Sequence, residues 1–232
     1  MNLRKLSATT AAIAALSVGA LVAGPAHAAA VTMTFEGLQD QEPIGNYYNG
    51  GTGGFGSGPG PNYGVSFGSD SLAVISELQG GSGNFEGAPS GKTVAFFLSG
   101  PGDVMNVAAG FNTGFSFYYS AVVYPGDVTV WSGLNGTGTE LADLNLPVTP
   151  SGGPGCSGAT SYCPWVPAGV TFSGTAESAV FSGTANYIAF DNITLGSATP
   201  GAPGPVPGTG LAGLVLLAAA GAAARARGLM AR

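Results

Sequence analysis

The sequence predicts an all-β fold: an antiparallel two-sheet β-sandwich with jelly-roll topology, between an N-terminal signal peptide and a C-terminal transmembrane helix. Three observations support this prediction. Short runs of β-branched and aromatic residues, separated by glycine and proline, recur between residues 31 and 195. No stretch in that part has the period of an amphipathic helix. Each end of the 232-residue chain carries an apolar run with basic residues beside it.

Residues 1–28 have the features of a signal peptide that signal peptidase removes. Arg4 and Lys5 precede an apolar stretch, and small residues stand at the positions that direct cleavage after Ala28. A permanent N-terminal membrane helix is the alternative, but glycines interrupt the apolar stretch and Pro25 ends it. The sequence therefore predicts an exported protein.

The composition between the two end segments excludes several classes of function. Lys92 is the only basic residue there, against twelve acidic residues. This excess of negative charge argues against nucleic acid and anionic membrane surfaces as partners, and it favours divalent cations. The only histidine, His27, leaves with the signal peptide, so Ser-His and Cys-His nucleophiles and histidine zinc sites are excluded from the mature protein.

Nine runs are predicted as strands of a single domain, residues 29–198. They are VTMTF from Val31, YGVSF from Tyr63, LAVIS from Leu72, TVAFFL from Thr93, GFSFYYSAVV from Gly114, DVTVWS from Asp127, VTFSG from Val170, AVFSG from Ala179 and YIAFDNITL from Tyr187. In the fifth run Phe115, Phe117 and Tyr119 fall on one face, as in a strand that packs one face on a core. Turns of the Pro-Gly and Asn-Gly type separate the runs, and many short antiparallel strands without helices favour a jelly roll.

The two cysteines, Cys156 and Cys163, are predicted to form a disulfide, because an isolated close pair in an exported protein is most simply a structural bond. The closed loop of eight residues would stabilise the fold by roughly 2.5 kcal/mol. A redox or metal role is the alternative. The spacing does not match a C-x-x-C motif, however, and no other soft ligand is present.

Glu36 and Asp191 are the candidate metal ligands. Glu36 directly follows the first predicted strand and Asp191 lies in the last, and these strands often lie side by side in jelly rolls. Carboxylate and backbone oxygens gathered there would suit a structural Ca²⁺ ion. The alternative is that both carboxylates are strand-end residues that accept hydrogen bonds from turn backbone.

Exposed aromatic rings on a sandwich could also bind sugar, and the candidates are Tyr47, Tyr48, Tyr162 and Trp165. The first two lie in a glycine-rich surface loop, residues 45–64, whose aromatics either present a binding surface or pack onto the rim of the sandwich. We favour the second interpretation, because so much glycine makes a poorly preorganised site. A carboxylate-based glycosidase is the least favoured hypothesis, and the domain is predicted not to be an enzyme.

The C-terminal part has three pieces in order. A Pro/Gly-rich linker occupies residues 199–210 and an apolar run extends from Leu211 to Ala224. A basic end follows with Arg225 and Arg227. Residues 211–232 are predicted to form a short transmembrane helix whose basic tail stays in the cytoplasm.

This arrangement resembles the PEP-CTERM sorting signal, which exosortase recognises in exopolysaccharide-producing Gram-negative bacteria. The sequence AVFSGTANYIAFDNITLG, residues 179–196, is also similar to the end of many proteins of that family. The resemblance implies transient anchoring in the inner membrane, processing by an exosortase-like enzyme, and release to the cell surface or extracellular matrix. It also implies an association with exopolysaccharide or biofilm.

The sorting motif departs from the family pattern. The usual Val-Pro-Glu-Pro is replaced by a segment that lacks the glutamate and the second proline and reads Val206, Pro207, Gly208, Thr209 and Gly210. This segment also resembles the Leu-Pro-x-Thr-Gly motif that sortase cuts in Gram-positive wall proteins. The short linker favours exosortase, since about ten residues reach only about 30 Å when extended. The sequence therefore predicts an exported, non-catalytic surface or matrix protein, with a carbohydrate-binding module as the alternative and a sortase-anchored wall protein as a further one.

Overall fold

The computed structural model describes residues 30–149, 151–153 and 155–201. The predicted signal peptide, sorting motif, apolar helix and basic tail lie outside these residues. The described chain forms β-strands and one short 3-10 helix, Glu77–Gln79. Within the described ranges, no helix has the length and apolar character needed to cross a membrane.

The strands follow one another closely along the chain. They are β1 (Val31–Met33), β2 (Val65–Phe67), β3 (Ser71–Ile75), β4 (Thr93–Phe97), β5 (Gly102–Phe111), β6 (Gly114–Ser120), β7 (Gly126–Gly133), β8 (Thr137–Leu146), β9 (Val166–Thr171), β10 (Ala176–Gly183) and β11 (Ala189–Leu195).

The strands form two antiparallel sheets. The first sheet has the order β3-β4-β11-β6-β9, with β1 beside the end of β11, and the second has the order β2-β5-β10-β7-β8. Strand β4 pairs with β11, β5 with β10, β6 with β9 and β7 with β8. This nested pairing is one long hairpin rolled over two sheets, which is the strand order of a jelly roll. The predicted all-β sandwich is confirmed.

The inner faces of the two sheets form the hydrophobic core. Phe115 and Phe117 on β6 of the first sheet face Phe181 on β10 of the second, with ring centroids 6.2 and 6.1 Å apart. Phe190 on β11 lies 4.9 Å from the same ring. Aromatic pairs of this kind add about 0.5–1.5 kcal/mol each beyond the burial of their area. The predicted inward face of β6 is therefore the core face.

Two strands, β5 and β8, were not predicted. Strand β5 ends in Asn-Val-Ala-Ala-Gly-Phe, where three small residues interrupt the apolar alternation, and β8 lies at an edge of the second sheet with most of its residues exposed. Neither run has the strong apolar pattern by which strands are recognised. Strand β9 begins at Val166, four residues before the predicted run. Its first residues were not predicted because they include Pro167 and the small residues that follow it, which are uncommon in strands.

The folded domain continues past β11 to Gly201, three residues beyond its predicted end. Ser116 Oγ donates a 2.8 Å hydrogen bond to the carbonyl oxygen of Ser197, and the backbone N–H of Gly201 donates to Thr194 Oγ1 at 3.0 Å. Gly169 makes this crossing feasible, since a Cβ there would collide with the backbone of Ala198. The start of the predicted linker therefore packs on the outer face of the first sheet.

Candidate functional site

A groove lies on the outer face of the first sheet, away from the core. Its floor includes Val74 of β3, Phe96 of β4 and Ala189 of β11. The neighbours of Phe96 on β4, Ala95 and Phe97, point into the core, because successive side chains of a strand face opposite sides. The volume of the groove is about 510 Å³, within the roughly 300–1,000 Å³ of small-molecule sites.

The first wall of the groove is built from two distant segments, residues 82–85 and 161–162. The backbone N–H of Tyr162 donates to the carbonyl oxygen of Asn84 at 3.1 Å. Asn84 Nδ2 donates to Ser161 Oγ at 2.9 Å, and the backbone N–H of Ser161 returns a 3.1 Å bond to Asn84 Oδ1. These bonds join the two segments into one wall.

A disulfide closes the loop that carries the end of this wall. Cys156 and Cys163 are bonded, with their Cα atoms 5.8 Å apart, so the predicted pairing is confirmed. The carboxylate of Glu86 holds the same loop by accepting hydrogen bonds from the backbone N–H groups of Ser157 at 2.8 Å and Gly158 at 3.1 Å, and from the Ser157 hydroxyl. The Ser157 hydroxyl bond, together with these backbone bonds, lowers the pKa of Glu86 despite its burial.

Trp165 supports the wall from behind. Its indole Nε1 donates to the carbonyl oxygen of Glu86 at 3.0 Å, and its ring lies edge to face with Phe85 at 5.9 Å. The ring therefore braces the wall, and it does not line the groove. A wall fixed in this way before a ligand arrives lowers the ordering cost of binding.

The second wall comes from residues 122–123 and 186–188. Tyr187 lies edge to face with Tyr124, with centroids 4.8 Å apart, and Val123 and Tyr124 are 50% and 45% exposed. Tyr162 Oη donates a 2.7 Å hydrogen bond to the carbonyl oxygen of Asn186, which ties the two walls together. Burial raises the pKa of Tyr162 to about 12, so this hydroxyl stays protonated and donates at any physiological pH.

The chemistry of the groove is aromatic, aliphatic and neutral polar. Of the described residues that line it, none is an aspartate, glutamate, lysine, arginine or histidine. Its polar side chains are amides and hydroxyls, and Gln41 Nε2 donates to Ser82 Oγ at 2.8 Å at its edge. Groups of this kind bind a neutral ligand rich in hydroxyls through hydrogen bonds and ring contacts.

The prediction that Tyr47 and Tyr48 contact a glycan is wrong. Their side chains are only 7% and 3% exposed, and they pack edge to face in the core. Their hydroxyls are used internally, since Tyr48 Oη accepts a 2.6 Å bond from the backbone N–H of Phe35 and Tyr47 Oη donates to the carbonyl oxygen of Glu36. The favoured interpretation of the glycine-rich loop thus holds for these two rings.

Glu36 and Asp191 meet at the loop that precedes β4, and β1 and β11 do lie side by side. Glu36 Oε1 accepts from the backbone N–H groups of Lys92 and Thr93, both at 2.8 Å. Asp191 accepts from the backbone N–H and the hydroxyl of Ser90, at 2.8 and 2.7 Å. Two carboxylates thus hold one loop, as the turn-backbone alternative expects.

The environment of Asp191 bears on the calcium prediction. Asp191 is fully buried, and this burial raises the pKa of its carboxyl to about 7, although its hydrogen bonds with Ser90 and Asn192 oppose the rise. Within the described residues, no group of three or more His, Cys, Asp or Glu side chains is placed to hold a metal ion. The calcium site stays a prediction.

Several groove residues were missed in the sequence. Asn186 and Tyr187 lie two to three residues before β11, and Asn84 lies in a glycine-rich turn far from both in sequence. The available signal was the presence of aromatic and amide residues in loops beside a strand, which is where binding residues concentrate. Of the four predicted glycan contacts, only Tyr162 lines the groove.

Comparisons with known proteins do not assign this chain to a family. No family model matches the chain, and no curated protein matches it significantly. Among solved structures, the chain is similar to the K3 cleaved adhesin domain of Lys-gingipain from Porphyromonas gingivalis W83, at 12% identity and a TM-score of 0.36, over 56% of this chain and 93% of that chain. It is similar to the K1 cleaved adhesin domain of the same protein at 13% identity and a TM-score of 0.33, over 57% and 98% of the two chains.

Proposed function

We propose that the protein is an exported, non-catalytic surface or matrix protein whose jelly-roll domain binds extracellular polysaccharide in the groove. The observation that carries this proposal is the lining of the groove, where aromatic and aliphatic side chains lie among amide and hydroxyl groups around a volume of about 510 Å³. Sugars offer both hydroxyls and apolar ring faces, so this combination suits them.

Export is supported by the disulfide, which persists in oxidising compartments, and by the predicted signal peptide. We propose further that the tail anchors the chain briefly in the inner membrane and that an exosortase-like enzyme then releases it. Mass spectrometry of the mature C-terminus tests this step. A chain that ends at Thr209 would assign the tail to sortase, and an intact tail in the membrane fraction would exclude both processing routes.

A non-catalytic role is supported by the side chains available in the groove. Glycoside hydrolysis by the usual route needs a pair of carboxyl groups on either side of the scissile bond, and none of the described residues that line this groove carries a carboxylate. Release of reducing ends from the bound polysaccharide would contradict the proposal and favour the glycosidase hypothesis.

Pull-down with insoluble or immobilised polysaccharides tests the binding itself. The Tyr187→Ala variant removes a partly exposed ring from the second wall, and Phe55→Ala removes a 59% exposed ring outside the groove as a matched control. We expect binding by the wild type and by Phe55→Ala, and a clear loss for Tyr187→Ala. If no polysaccharide retains the wild-type protein, a purely structural role in the matrix replaces the proposal.

A further inference from the structure

We infer that the groove selects an uncharged segment of polysaccharide and rejects uronic acid and amino-sugar polymers. This inference rests on the proposed function, because it names the class of glycan that the same groove takes. Three features of the described residues support it: the absence of ionic side chains from the lining, the use of most nearby carboxylates in the fold, and the pairing of polar groups at the walls.

The described lining residues offer no opposite charge to a charged sugar. A carboxylate or ammonium group that enters a partly apolar groove loses water, and this loss is costly unless an opposite charge or several hydrogen bonds compensate for it. Val74, Phe96 and Ala189 on the floor supply neither. Lys92 is the only basic residue in the part of the chain described here, and it lies outside the groove. A neutral sugar does not carry this cost.

The acidic residues near the groove are committed to the fold. Glu86 lies directly behind the first wall, but its two oxygens accept hydrogen bonds from Ser157 and Gly158. Glu42 follows the groove residue Gln41 in sequence, yet it is fully buried and accepts three backbone hydrogen bonds. Neither carboxylate is available to attract an amino sugar into the groove.

The net charge of the domain acts over a longer range. One lysine against twelve acids creates a negative field that repels uronate polymers and attracts basic ones. This attraction is diffuse, and salt screens it with a Debye length of about 10 Å at 0.1 M. Binding of a basic polymer should therefore depend strongly on salt and hardly on groove residues, whereas binding of a neutral glycan should show the opposite pattern.

The walls offer the contacts that a neutral glycan needs. Tyr187 and Tyr162 present partly exposed rings, and the side-chain amide of Asn186, which is exposed, makes no hydrogen bond to other described residues. Asn84 and Ser161 hold each other through two hydrogen bonds, line the groove and keep further hydrogen-bonding capacity. Rings that pack on sugar faces and amides that bond to hydroxyls require no charge on the ligand.

Isothermal titration calorimetry of the purified protein tests the inference with four probes: dextran, a soluble β-glucan, polygalacturonate and chitosan. At least one neutral probe should bind, with an affinity that changes less than about twofold between low salt and about 0.5 M NaCl. Tyr187→Ala should weaken this binding about tenfold or more, and Phe55→Ala should leave it unchanged. Circular dichroism and thermal melting confirm that each variant is folded.

A second variant tests whether charge in the groove decides which polysaccharide binds. Val123→Lys adds a cation at a half-exposed position of the second wall, where it should not disturb folding. We expect this variant to bind polygalacturonate at least about tenfold more tightly than the wild type does, with an increased salt dependence.

The outcomes separate the inference from the proposed function. Tyr187-dependent binding of polygalacturonate or chitosan to the wild type would overturn the inference and leave the proposed function standing. A complete lack of binding to all four probes would overturn both. Self-association that Tyr187→Ala abolishes, without any glycan binding, would assign the groove to a second copy of the chain and would also overturn both.

Discussion

Replacement of Glu42 by glutamine is expected to destabilise the domain by about 3 kcal/mol. The Glu42 carboxylate is fully buried, and it accepts hydrogen bonds from the backbone N–H groups of Gln39 at 2.7 Å, Phe55 at 2.9 Å and Ser57 at 3.0 Å. Burial alone would raise the pKa of this carboxyl, but the bonds from Gln39, Ser57 and Phe55 together lower it. These three bonds join the glycine-rich loop to the start of the domain.

The size of this loss of stability follows from the hydrogen bonds that a glutamine at position 42 cannot accept. A hydrogen bond to a charged acceptor contributes about 1.5–3 kcal/mol, against about 1 kcal/mol for a neutral one. Glutamine retains one acceptor oxygen, which can serve Phe55 and Ser57 without the charge, and its NH₂ group faces the N–H of Gln39. One charge-assisted bond is lost and two are weakened, which gives about 3 kcal/mol in total.

Urea unfolding of the oxidised protein, monitored by tryptophan fluorescence, measures this change in the free energy of unfolding. For a domain of this size the melting temperature should fall by about 6–12 °C. Glu140→Gln is the matched control, because Glu140 is exposed on β8, and its effect should stay within about 0.5 kcal/mol. Equal stability of the two variants would refute the view that buried carboxylates hold the loops of this domain.

Three further predictions concern stability. Replacement of both Cys156 and Cys163 by serine should lower the free energy of unfolding by about 2.5 kcal/mol in urea, and an unchanged value would show that the closed loop adds nothing. Burial raises the pKa of Asp191 to about 7 and of Asp103 to about 6. The folded state therefore binds protons more tightly at these groups, and stability should rise as pH falls from 8 to about 5. It should fall again in stronger acid, as carboxylates with a lowered pKa such as Glu42 become protonated. A melting temperature that is highest at pH 8 would contradict this. Calorimetry with added calcium should show binding heat and a higher melting temperature if the predicted calcium site exists, and the absence of both would reject it.

The fold was largely predictable because its strands carry local signals. The β-branched and aromatic runs of β4, β6 and β11 each show the apolar pattern of a strand, and the turns between runs are marked by proline and glycine. The disulfide was predictable because the chain has a single close pair of cysteines and a predicted signal peptide. Strand β8 was not, since it is an edge strand that buries few side chains and its first half, Thr-Gly-Thr-Glu, is polar and exposed.

The groove could not be predicted, because it exists only after distant loops meet. Asn84, Ser161 and Tyr187 come from three connections, and their proximity depends on the pairing of β3, β4 and β11. The error at Tyr47 and Tyr48 has a related cause. A glycine-rich segment has the composition of an exposed loop, yet the small residues let it pack closely against the sandwich, and the two rings fill the space beneath it.

The positions of the carboxylates were predictable from the sequence, but their hydrogen-bond partners were not. Their places at the first and last predicted strands suggested that Glu36 and Asp191 would meet, and both do reach the loop of residues 90–93. The sequence could not show that backbone N–H groups would take up their oxygens. In a domain with a single lysine, carboxylates compensate their burial with backbone donors, and Glu86 behind the groove wall follows the same pattern.

Nuclear magnetic resonance of the ¹⁵N-labelled protein with a neutral oligosaccharide tests the claim that this domain binds polysaccharide in the groove. We expect shift changes for the side-chain amides of Asn84 and Asn186 and for the backbone around Tyr187, with the outer face of the second sheet unaffected. Shift changes confined to the second sheet, or no change with a glycan that the protein demonstrably retains, would contradict the claim.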